Sequence, residues 1–452
     1  MNTPSRSAAS VAYLTGTYPR ATDTFIQREV AALRQQGISV YTFAVRQPSP
    51  EQLTGPTQHS EHQQTTYLLP VQLKALITAH LGLLRRCPRA YVQALALAWK
   101  TRNPGWGSLL FQCFYFLEAG VLAHQLNQRR VRHLHNHFGD SSCSVAMLAA
   151  LLCGCSYSFT LHGPGIFFEP QRWRLDEKIR RASFVSCISY FCRSQAMIYA
   201  PLDSWERLKI VHCGIDAAQF KCRQHRGQGR RLLYVGRLAA AKGLPILLES
   251  LATLRSHYPQ LHLTIVGDGP NREALTEQVR QLEIEAQVEF VGYQAPSAVS
   301  AYLEQSDLFV MSSFAEGVPV VLMEAMAAGL PVIAPQIAGI SELVEAGRSG
   351  YLVPPSNVPC LADCIDKLVS DADLRQRFGQ AGRAKVEREF NQAVEAQKLG
   401  SLIAEVLAKT DASTIPIDEA TANTVSPPEL LTHGVLRRDR RFSQPVGTES
   451  RP

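Results

Sequence analysis

Apolar runs of strand length alternate with longer helix-like segments along most of this chain. The clearest case is a short apolar run, residues 308–311, that leads into a turn rich in glycine and proline. An apolar helix follows and ends at Gly329, and Pro331 prevents its continuation before the next buried strand begins. This pattern predicts a strand–turn–helix–strand unit of a parallel sheet.

The first half of the chain shows a similar alternation. Strands are predicted at residues 11–15, 38–45, 133–137, 156–161 and 185–188. Helices are predicted at residues 25–36, 73–84, 90–99, 109–126 and 141–153. Thr24 is expected to cap the first helix, and the polar residues 47–70 are expected to form a loop or an excursion from the sheet. Gly16 is predicted to break the first strand at a crossover where such sheets bind ligands, so it is a candidate binding residue.

The second half restarts this pattern, because residues 232–236 repeat the arrangement of a strand followed directly by glycine. The repetition predicts an α/β protein with two Rossmann-like domains that face each other across a cleft. We predict a disordered start, a first domain, a second domain, a C-terminal helix and a disordered tail at residues 1–10, 11–220, 221–390, 391–409 and 410–452.

Composition is ordinary for a globular protein, since 46% of the 452 residues are apolar and 19% are charged. We expect no membrane span, because no apolar run approaches the ~18 residues that a span needs, and the N-terminus lacks the apolar region of a signal peptide. The eleven cysteines are scattered and include no Cys-x-x-Cys pair, which favours free thiols over disulfides or a zinc site. These features predict a cytoplasmic protein.

The net charge of +7 is unevenly distributed. Residues 1–215 hold 22 basic and 11 acidic residues, whereas the remainder holds 24 and 28. A basic first half fits an acidic acceptor or an anionic membrane, and a solvated basic face is an equal alternative. The helices within residues 73–126 carry arginine and tryptophan, so they fit either membrane docking or ordinary core packing. No motif favours nucleic acid.

Two acids mark the unit that opens this section. Glu316 lies at the entrance of the apolar helix, and Glu324 lies two turns further on, inside a run with no other charge. A helix entrance attracts phosphate through its free amides and its dipole, and carboxylates accept hydrogen bonds from sugar hydroxyls. One element could thus hold the ribose, diphosphate and sugar of a nucleotide-sugar. The alternative is that Glu316 pairs with the dipole and Glu324 is a surface charge.

This stretch resembles the Glu-x7-Glu motif of glycosyltransferase family 4, whose members are retaining enzymes with the GT-B fold. The resemblance implies that Glu316 contacts the hydroxyls of the donor sugar and is a catalytic residue, and that Glu324 contacts the ribose. It further implies that the diphosphate lies on the backbone of four residues: Gly317, Val318, Pro319 and Val320.

Other positions are similar to the same family. Arg237 and Lys242 match its Gly-Arg and Lys-Gly positions, which implies that they bind the donor diphosphate, and Gly16 is assigned to the donor site as well. His162, in a His-Gly pair at a strand end, matches a position near the reacting carbon of the sugar, which implies a catalytic role.

The N-terminal region carries three further points. The segment 17–26 is similar to the N-terminal loop of the exopolysaccharide or colanic-acid branch, with Asp23 where that branch usually has glutamate. The alternating histidines of residues 133–137 would share one face of a strand, as a metal site requires, yet the matching strand of the family binds no metal. A cysteine, Cys213, stands where the family usually has asparagine.

The resemblance covers roughly residues 11–405 and implies a retaining transfer of sugar from a nucleoside diphosphate to an acceptor hydroxyl, without a metal or other cofactor. It also implies that the C-terminal helix can cross back onto the first domain. A lipid-linked or polysaccharide acceptor and peripheral contact with the inner face of the plasma membrane are expected. Two alternatives stay open, a sugar-nucleotide epimerase of the same fold and a non-catalytic scaffold for polysaccharide assembly.

Overall fold

A computed structural model describes residues 10–20, 23–53, 55–222 and 228–412. The first lobe is built on a seven-stranded sheet. Its strands are β1 (Ser10–Thr17), β2 (Ser39–Arg46), β3 (Thr66–Tyr67), β4 (His133–His137), β5 (Ser156–Leu161), β6 (Val185–Cys187) and β7 (Leu208–Ile210). They lie in the order β3-β2-β1-β4-β5-β6-β7, and every pair is parallel.

Helices connect these strands, as parallel pairing requires. They are α1 (Thr24–Gln35), α2 (Pro56–Gln64), α3 (Leu73–Arg86), α4 (Pro88–Lys100), α5 (Trp106–Gln128), α6 (Ser141–Cys153), α7 (Gly165–Phe168), α8 (Leu175–Arg181) and α9 (Tyr190–Tyr199). Three of them, α3 to α5, form one long excursion between β3 and β4.

The second lobe has a six-stranded parallel sheet. Its strands are β8 (Arg231–Val235), β9 (His262–Val266), β10 (Val288–Gly292), β11 (Leu308–Val310), β12 (Val332–Pro335) and β13 (Gly350–Val353). They lie in the order β10-β9-β8-β11-β12-β13. In both sheets the order reverses beside the first strand, and parallel sheets bind ligands outside the carboxyl ends of strands at this point.

The helices of the second half are α10 (Leu244–Leu254), α11 (Arg272–Gln281), α12 (Pro296–Gln305), α13 (Val320–Ala327), α14 (Ile340–Leu343), α15 (Val358–Ser370), α16 (Ala372–Glu389) and α17 (Gln392–Ala412). The last of these packs on the first lobe: Leu399 and Ile403 are fully buried in a cluster with Val11 and Leu33. Helix α17 thereby ties the end of the second half to the first sheet.

The predicted two-domain α/β architecture agrees with these two sheets, but several local predictions were wrong. Gly16 does not end the first strand, which continues to Thr17. Thr24 does not cap α1, because it is the first residue of that helix. Residues 47–70 are not a plain loop, since they contain α2 and the edge strand β3. Polar helices and two-residue strands carry too little apolar periodicity to be found in this way.

Helix α5 is longer and more apolar than the sequence analysis expected. Among the described residues it is the one helix that is long and apolar enough to cross a membrane by length and composition, although no such run was expected. A core helix passes the same test, and α5 buries residues such as Phe116 and Leu122 inside the first lobe. Its opposite face carries exposed Phe111 and Phe114.

The three histidines of β4 point to one face, as their alternation predicts, and each is fully buried. The imidazole of His133 bonds the Ser156 and Ser158 hydroxyls on β5 at 2.8 and 2.7 Å. Burial lowers the pKa of His133 to about 3 and leaves it neutral at neutral pH. In the folded state His133 therefore does not bind the proton that it binds in the unfolded chain below about pH 6.5.

This linkage makes an acid-sensitivity prediction. Because the unfolded state binds the extra proton, His133 reduces the free energy of unfolding by up to about 1.4 kcal/mol for each pH unit below about 6.5. The free energy of unfolding of His133→Gln, measured in urea, should fall less steeply between about pH 6 and 5 than that of the wild type. The two slopes should differ by nearly that amount. Changing the exposed His59 to Gln is the control and should leave the slope unchanged. Equal slopes for His133→Gln and the wild type would contradict the prediction.

Candidate active site

A cleft with a volume of about 690 Å³ lies at the switch points of both sheets. Its first wall comes from segments that follow strands of the first lobe, including Phe138, His162 and Cys213. Its second wall comes from the second lobe, including Tyr234 and Lys242. The cleft is therefore a site that neither lobe could form alone.

The turn before α13 forms the floor of the cleft. Pro319 precedes the helix, and the first amides of α13 have no acceptor within it, so they leave donors and the positive end of the dipole at the cleft. Most of α13 is otherwise buried, including Leu322 and Met323. The burial of the rest of the helix fixes the direction in which this polar end points.

The two lobes meet at Gly317. A Cβ atom at this position would overlap the carbonyl oxygen of His162 and approach Gly163 and Ile188 of the first lobe. Only glycine permits so close an approach of two backbones. The loop that carries the candidate phosphate-binding amides is thus held directly against the His162 turn.

An ion pair lies on the second wall. The Nζ atom of Lys242 donates a hydrogen bond to Oε1 of Glu316 at 2.6 Å. Nearby, the hydroxyls of Tyr234 and Ser313 are buried and have no hydrogen-bond partner within the described ranges. Burial, and then the Glu316 carboxylate, raise the pKa of Tyr234 far above its ordinary value, so it remains a neutral hydroxyl. Unpartnered buried hydroxyls are costly, and they are available to a ligand that enters the cleft.

A second cation, Arg237, also lines the cleft and is exposed there. Its guanidinium makes no hydrogen bond or ion pair with any part of the chain that the structure describes. Among the described residues, the second wall therefore contributes one free cation, Arg237, and one cation held by an acid, Lys242. Anions with several oxygen atoms fit such a set.

The sequence predicts that Glu324 binds the donor, but this residue does not line the cleft. Its Oε1 atom accepts a hydrogen bond at 2.9 Å from Nη2 of Arg28, which lies on α1 in the other lobe. Burial raises the pKa of Glu324, and Arg28 opposes this rise. The charge on an apolar helix thus has a partner across the lobe boundary, and sequence reasoning had no means of finding it.

Gly16 is another predicted donor residue that the structure does not bring to this cleft. It lies within β1 and lines a different cavity, with a volume of about 670 Å³, on the other side of the first sheet's carboxyl edge. The remaining predicted residues do line the cleft: His162, Arg237, Lys242, Glu316, Gly317, Val318, Pro319 and Val320.

A hydrogen-bonded chain reaches the cleft from beneath His162. Nε2 of His162 lies 2.7 Å from Nδ1 of His137, whose Nε2 lies 3.1 Å from the Glu29 carboxylate. Tyr13 donates to the same carboxylate at 2.7 Å, and Cys213 Sγ lies 3.6 Å from Nδ1 of His162. With Glu29 ionised and both imidazoles neutral, each proton in this chain lies between one donor and one acceptor.

The electrostatics of this chain follow from burial. Burial lowers the pKa of His162 well below its ordinary value, His137 adds to this effect, and Glu29 opposes it. Burial also raises the pKa of Glu29. Because both imidazole nitrogens of His162 are engaged, the network fixes the orientation of the ring that faces the cleft.

The sequence analysis missed Glu29. It follows Phe25 by one helical turn and so lies on the inward side of α1, and an acid on an apolar helix face was the signal that could have revealed it. Among the described residues, Glu29, His135 and His137 are close enough together to hold a metal ion. Both nitrogens of His135 bond the Ser158 and Thr160 hydroxyls, so these atoms already serve the hydrogen-bond network.

Asp23 pairs with Arg20 at the rim of the cleft. The Nε and Nη2 atoms of Arg20 donate to its carboxylate at 2.6 and 3.1 Å. Both residues line the cleft. This geometry gives Asp23 a local partner, which holds its carboxylate at the rim.

Two Rossmann-like sheets that enclose a cleft at their carboxyl edges define the GT-B fold, and this chain is a glycosyltransferase of that fold. Residues 217–385 match the family described as "Glycosyl transferases group 1". WcaL of Salmonella typhimurium, a glycosyltransferase named for colanic acid biosynthesis, is 27% identical over 85% of this chain and 97% of its own. AmsK of Erwinia amylovora, named for amylovoran biosynthesis, is 34% identical over 44% of this chain and 51% of its own.

Solved structures share the fold at low sequence identity. HepE of Anabaena, determined in complex with UDP, has a TM-score of 0.67 and 19% identity, with 89% of this chain and 100% of HepE covered. Sucrose-phosphate synthase of Thermosynechococcus elongatus has a TM-score of 0.69 and 20% identity, with the same coverage. The predicted enzyme class and fold are therefore confirmed.

The close approach at Gly317 makes a stability prediction. In Gly317→Ala the added Cβ forces the turn away from His162, and the free energy of unfolding should fall by about 1–3 kcal/mol. Gly163→Ala is the matched control, because a Cβ there meets no atom within 4 Å. Urea unfolding of the two variants measures the difference. Equal stability of Gly317→Ala and the control would show that the lobes do not meet as described.

The ion pair between Arg28 and Glu324 makes a second prediction. Removing either partner leaves a largely buried group unpaired, so Arg28→Met and Glu324→Gln should each destabilise the protein. The double variant should recover about 1–2 kcal/mol relative to the sum of the single effects. Unfolding of the four proteins in urea completes the cycle. Strict additivity would mean that the two side chains do not interact in solution.

Proposed function

We propose that the chain is a retaining glycosyltransferase that moves a sugar from a nucleoside-diphosphate sugar to an acceptor hydroxyl. One observation carries the proposal: the free amides of α13, the Lys242–Glu316 pair and Arg237 all converge on one cleft, opposite His162. Cations and helix-end amides fit a diphosphate, and a carboxylate fits sugar hydroxyls. HepE, which shares the fold, was determined with UDP and with UDP-glucose, and this supports the same donor class.

The Lys242–Glu316 pair has a specific part in this proposal. Each side chain satisfies the other at 2.6 Å. A donor that brings phosphate oxygens to Lys242 gives the amine a new acceptor, and Glu316 can then accept hydrogen bonds from the sugar. The buried hydroxyls of Tyr234 and Ser313 lie on the same wall and supply further donors.

In the reaction, the bond between the anomeric carbon and the diphosphate oxygen breaks, and a bond from the acceptor oxygen forms on the same face of the sugar. The acceptor proton passes to the departing phosphate, so no side chain is needed as the general base. Arg237, Lys242 and the amides of the Gly317 turn stabilise the charge that develops on the diphosphate, the task that a divalent ion performs in other enzymes. His162 bounds the sugar from the opposite lobe.

Glu324 is not among the residues that line the cleft, but it lies one helical turn after Val320, which does, and it remains the proposed contact for the ribose. Its Oε1 atom is held by Arg28, and within the described residues Oε2 has no hydrogen-bond partner. The free oxygen is the atom that a ribose hydroxyl would reach. Arg28 then orients the carboxylate from the first lobe while α13 presents it from the second.

We further propose a lipid-linked or polysaccharide acceptor in exopolysaccharide synthesis, with the enzyme in the cytoplasm and peripheral on the inner face of the plasma membrane. The names of WcaL and AmsK support this class of product. The first half of the chain is basic, and exposed apolar residues of α3, α4 and α5 lie close to arginines in sequence. Apolar and basic groups together favour an anionic lipid surface.

The proposed donor site makes a kinetic prediction. Glu316→Ala, Glu324→Gln and Lys242→Ala should each lower donor turnover on the order of 100-fold or more, because each removes a contact to the donor or its developing charge. Glu285→Ala, which changes an exposed residue, is the control and should leave donor turnover unchanged. A thermal-shift screen first identifies the donor, since binding raises apparent stability. Radiolabelled sugar should then enter the lipid fraction.

The result also separates the alternatives. Near wild-type transfer by all three variants would contradict the proposed donor site. Conversion of the donor to an isomer without any acceptor would indicate an epimerase instead. Donor binding without hydrolysis or transfer would indicate a scaffold.

A further inference from the structure

A second large cavity lies beside the cleft in the first lobe. It has a volume of about 670 Å³, within the range of about 300–1,000 Å³ that holds small ligands. One side is formed by the carboxyl ends of β1 and β2 and the segment after β3, and the other by α3 and α5. Trp173 lines both this cavity and the cleft, and Ser141 of the cavity follows Asp140 of the cleft.

One face of α5 supplies much of the lining. The residues are Phe111, Phe114, Tyr115, Glu118 and Val121, which recur at the three- and four-residue spacing of a single helix face. Leu68, Leu69, Val71 and Leu76 line the cavity from the segment after β3 and from α3. The lining is thus mostly apolar, with polar groups at Thr17, Arg46, Tyr115, Glu118 and Ser141.

The cavity is open to the exposed side of these helices. Phe111 and Phe114 line it and are nevertheless 59% and 49% exposed. The same helices expose further apolar side chains, including Leu73, Ile77 and Trp106. A chain that enters the cavity could therefore continue along an apolar surface instead of ending in water.

The charged groups lie at the sheet end of the cavity. Arg46 is the last residue of β2, is exposed, and makes no side-chain hydrogen bond or ion pair with the described residues. Burial raises the pKa of Glu118 to about 7, and Arg46 opposes this rise. A substantial neutral fraction of Glu118 near neutral pH weakens its repulsion of an anion, and Arg46 supplies a free cation. The cavity thus has an apolar body and a cationic end.

We propose that this cavity binds the acceptor, an amphiphile with a long apolar chain and a phosphate group at its head. The apolar chain lies against the α5 face and leaves towards the exposed sides of α3 and α5, while Arg46 binds the phosphate. Trp173 then marks the passage by which the sugar portion of the acceptor reaches the cleft. The proposal rests on the glycosyltransferase function proposed above and specifies where its acceptor binds.

Binding of dodecyl phosphate below its micelle concentration tests the proposal without any catalysis. The wild type should bind one equivalent in titration calorimetry, and inorganic phosphate at the same concentration should not bind. Leu76→Trp places a larger side chain in the cavity, and Arg46→Gln removes the cation, so each should weaken binding about 10-fold or more. Leu81→Trp, on the exposed side of the same helix and outside the cavity, is the matched control and should bind as the wild type does.

Several results would overturn this assignment. Unchanged affinity in Arg46→Gln would do so even if Leu76→Trp failed to fold. Equal weakening by Leu81→Trp would place the lipid on the exposed helix surface instead of the cavity. Because binding is measured without a donor, it judges the cavity even if the enzyme transfers no sugar. In an active enzyme, the Leu76 and Arg46 variants should keep donor hydrolysis and lose transfer to long-chain acceptors.

Discussion

The close contact between the Gly317 turn and the His162 turn is the constraint on which the site depends. A side chain at position 317 would overlap the backbone of the other lobe, so at this position the two halves approach each other backbone to backbone. This contact puts the free amides of α13 opposite the residues that end β5. The apolar burial of α13 makes this direction rigid, since the helix could turn its polar end elsewhere only by exposing its core residues. The cleft is therefore a consequence of packing as much as of its polar groups.

Most charged side chains around this contact form ion pairs. Lys242 and Glu316 satisfy each other inside the second lobe, whereas Arg28 and Glu324 join the two lobes. Buried charges without partners would cost several kcal/mol each, so these pairs allow a polar site to exist in the apolar surroundings of α13. Beneath the opposite wall, Glu29 and His137 orient His162 in the same way. Glu316, Glu324 and His162 are thus each held by a partner within the protein.

Much of the fold could be predicted because it depends on local periodicity. Most strands of both sheets, the long helices and the stop of α13 at Gly329 follow from apolar spacing and from glycine and proline. The helix α2 and the strand β3 could not be found, since a polar helix and a two-residue strand have little pattern of their own. Most predicted site residues line one cleft, but Gly16 lies at another cavity. Gly16 does not break β1, which continues to Thr17, and only the sheet order and the α3–α5 excursion decide which cavity this end of the strand faces.

The sequence by itself determined the class of protein, the two-sheet plan and the acid and cation positions of the second lobe, because those residues lie within one short strand–turn–helix unit. The tertiary structure alone decided the partners. Glu324 meets Arg28, which is separated from it by nearly 300 residues, and Glu29 meets His137 across more than 100. Such pairings depend on how two lobes and the crossing helix α17 fold back on each other. Local sequence specifies which groups need a partner, because burial makes isolated charge costly, and only long-range packing specifies which partner each group obtains.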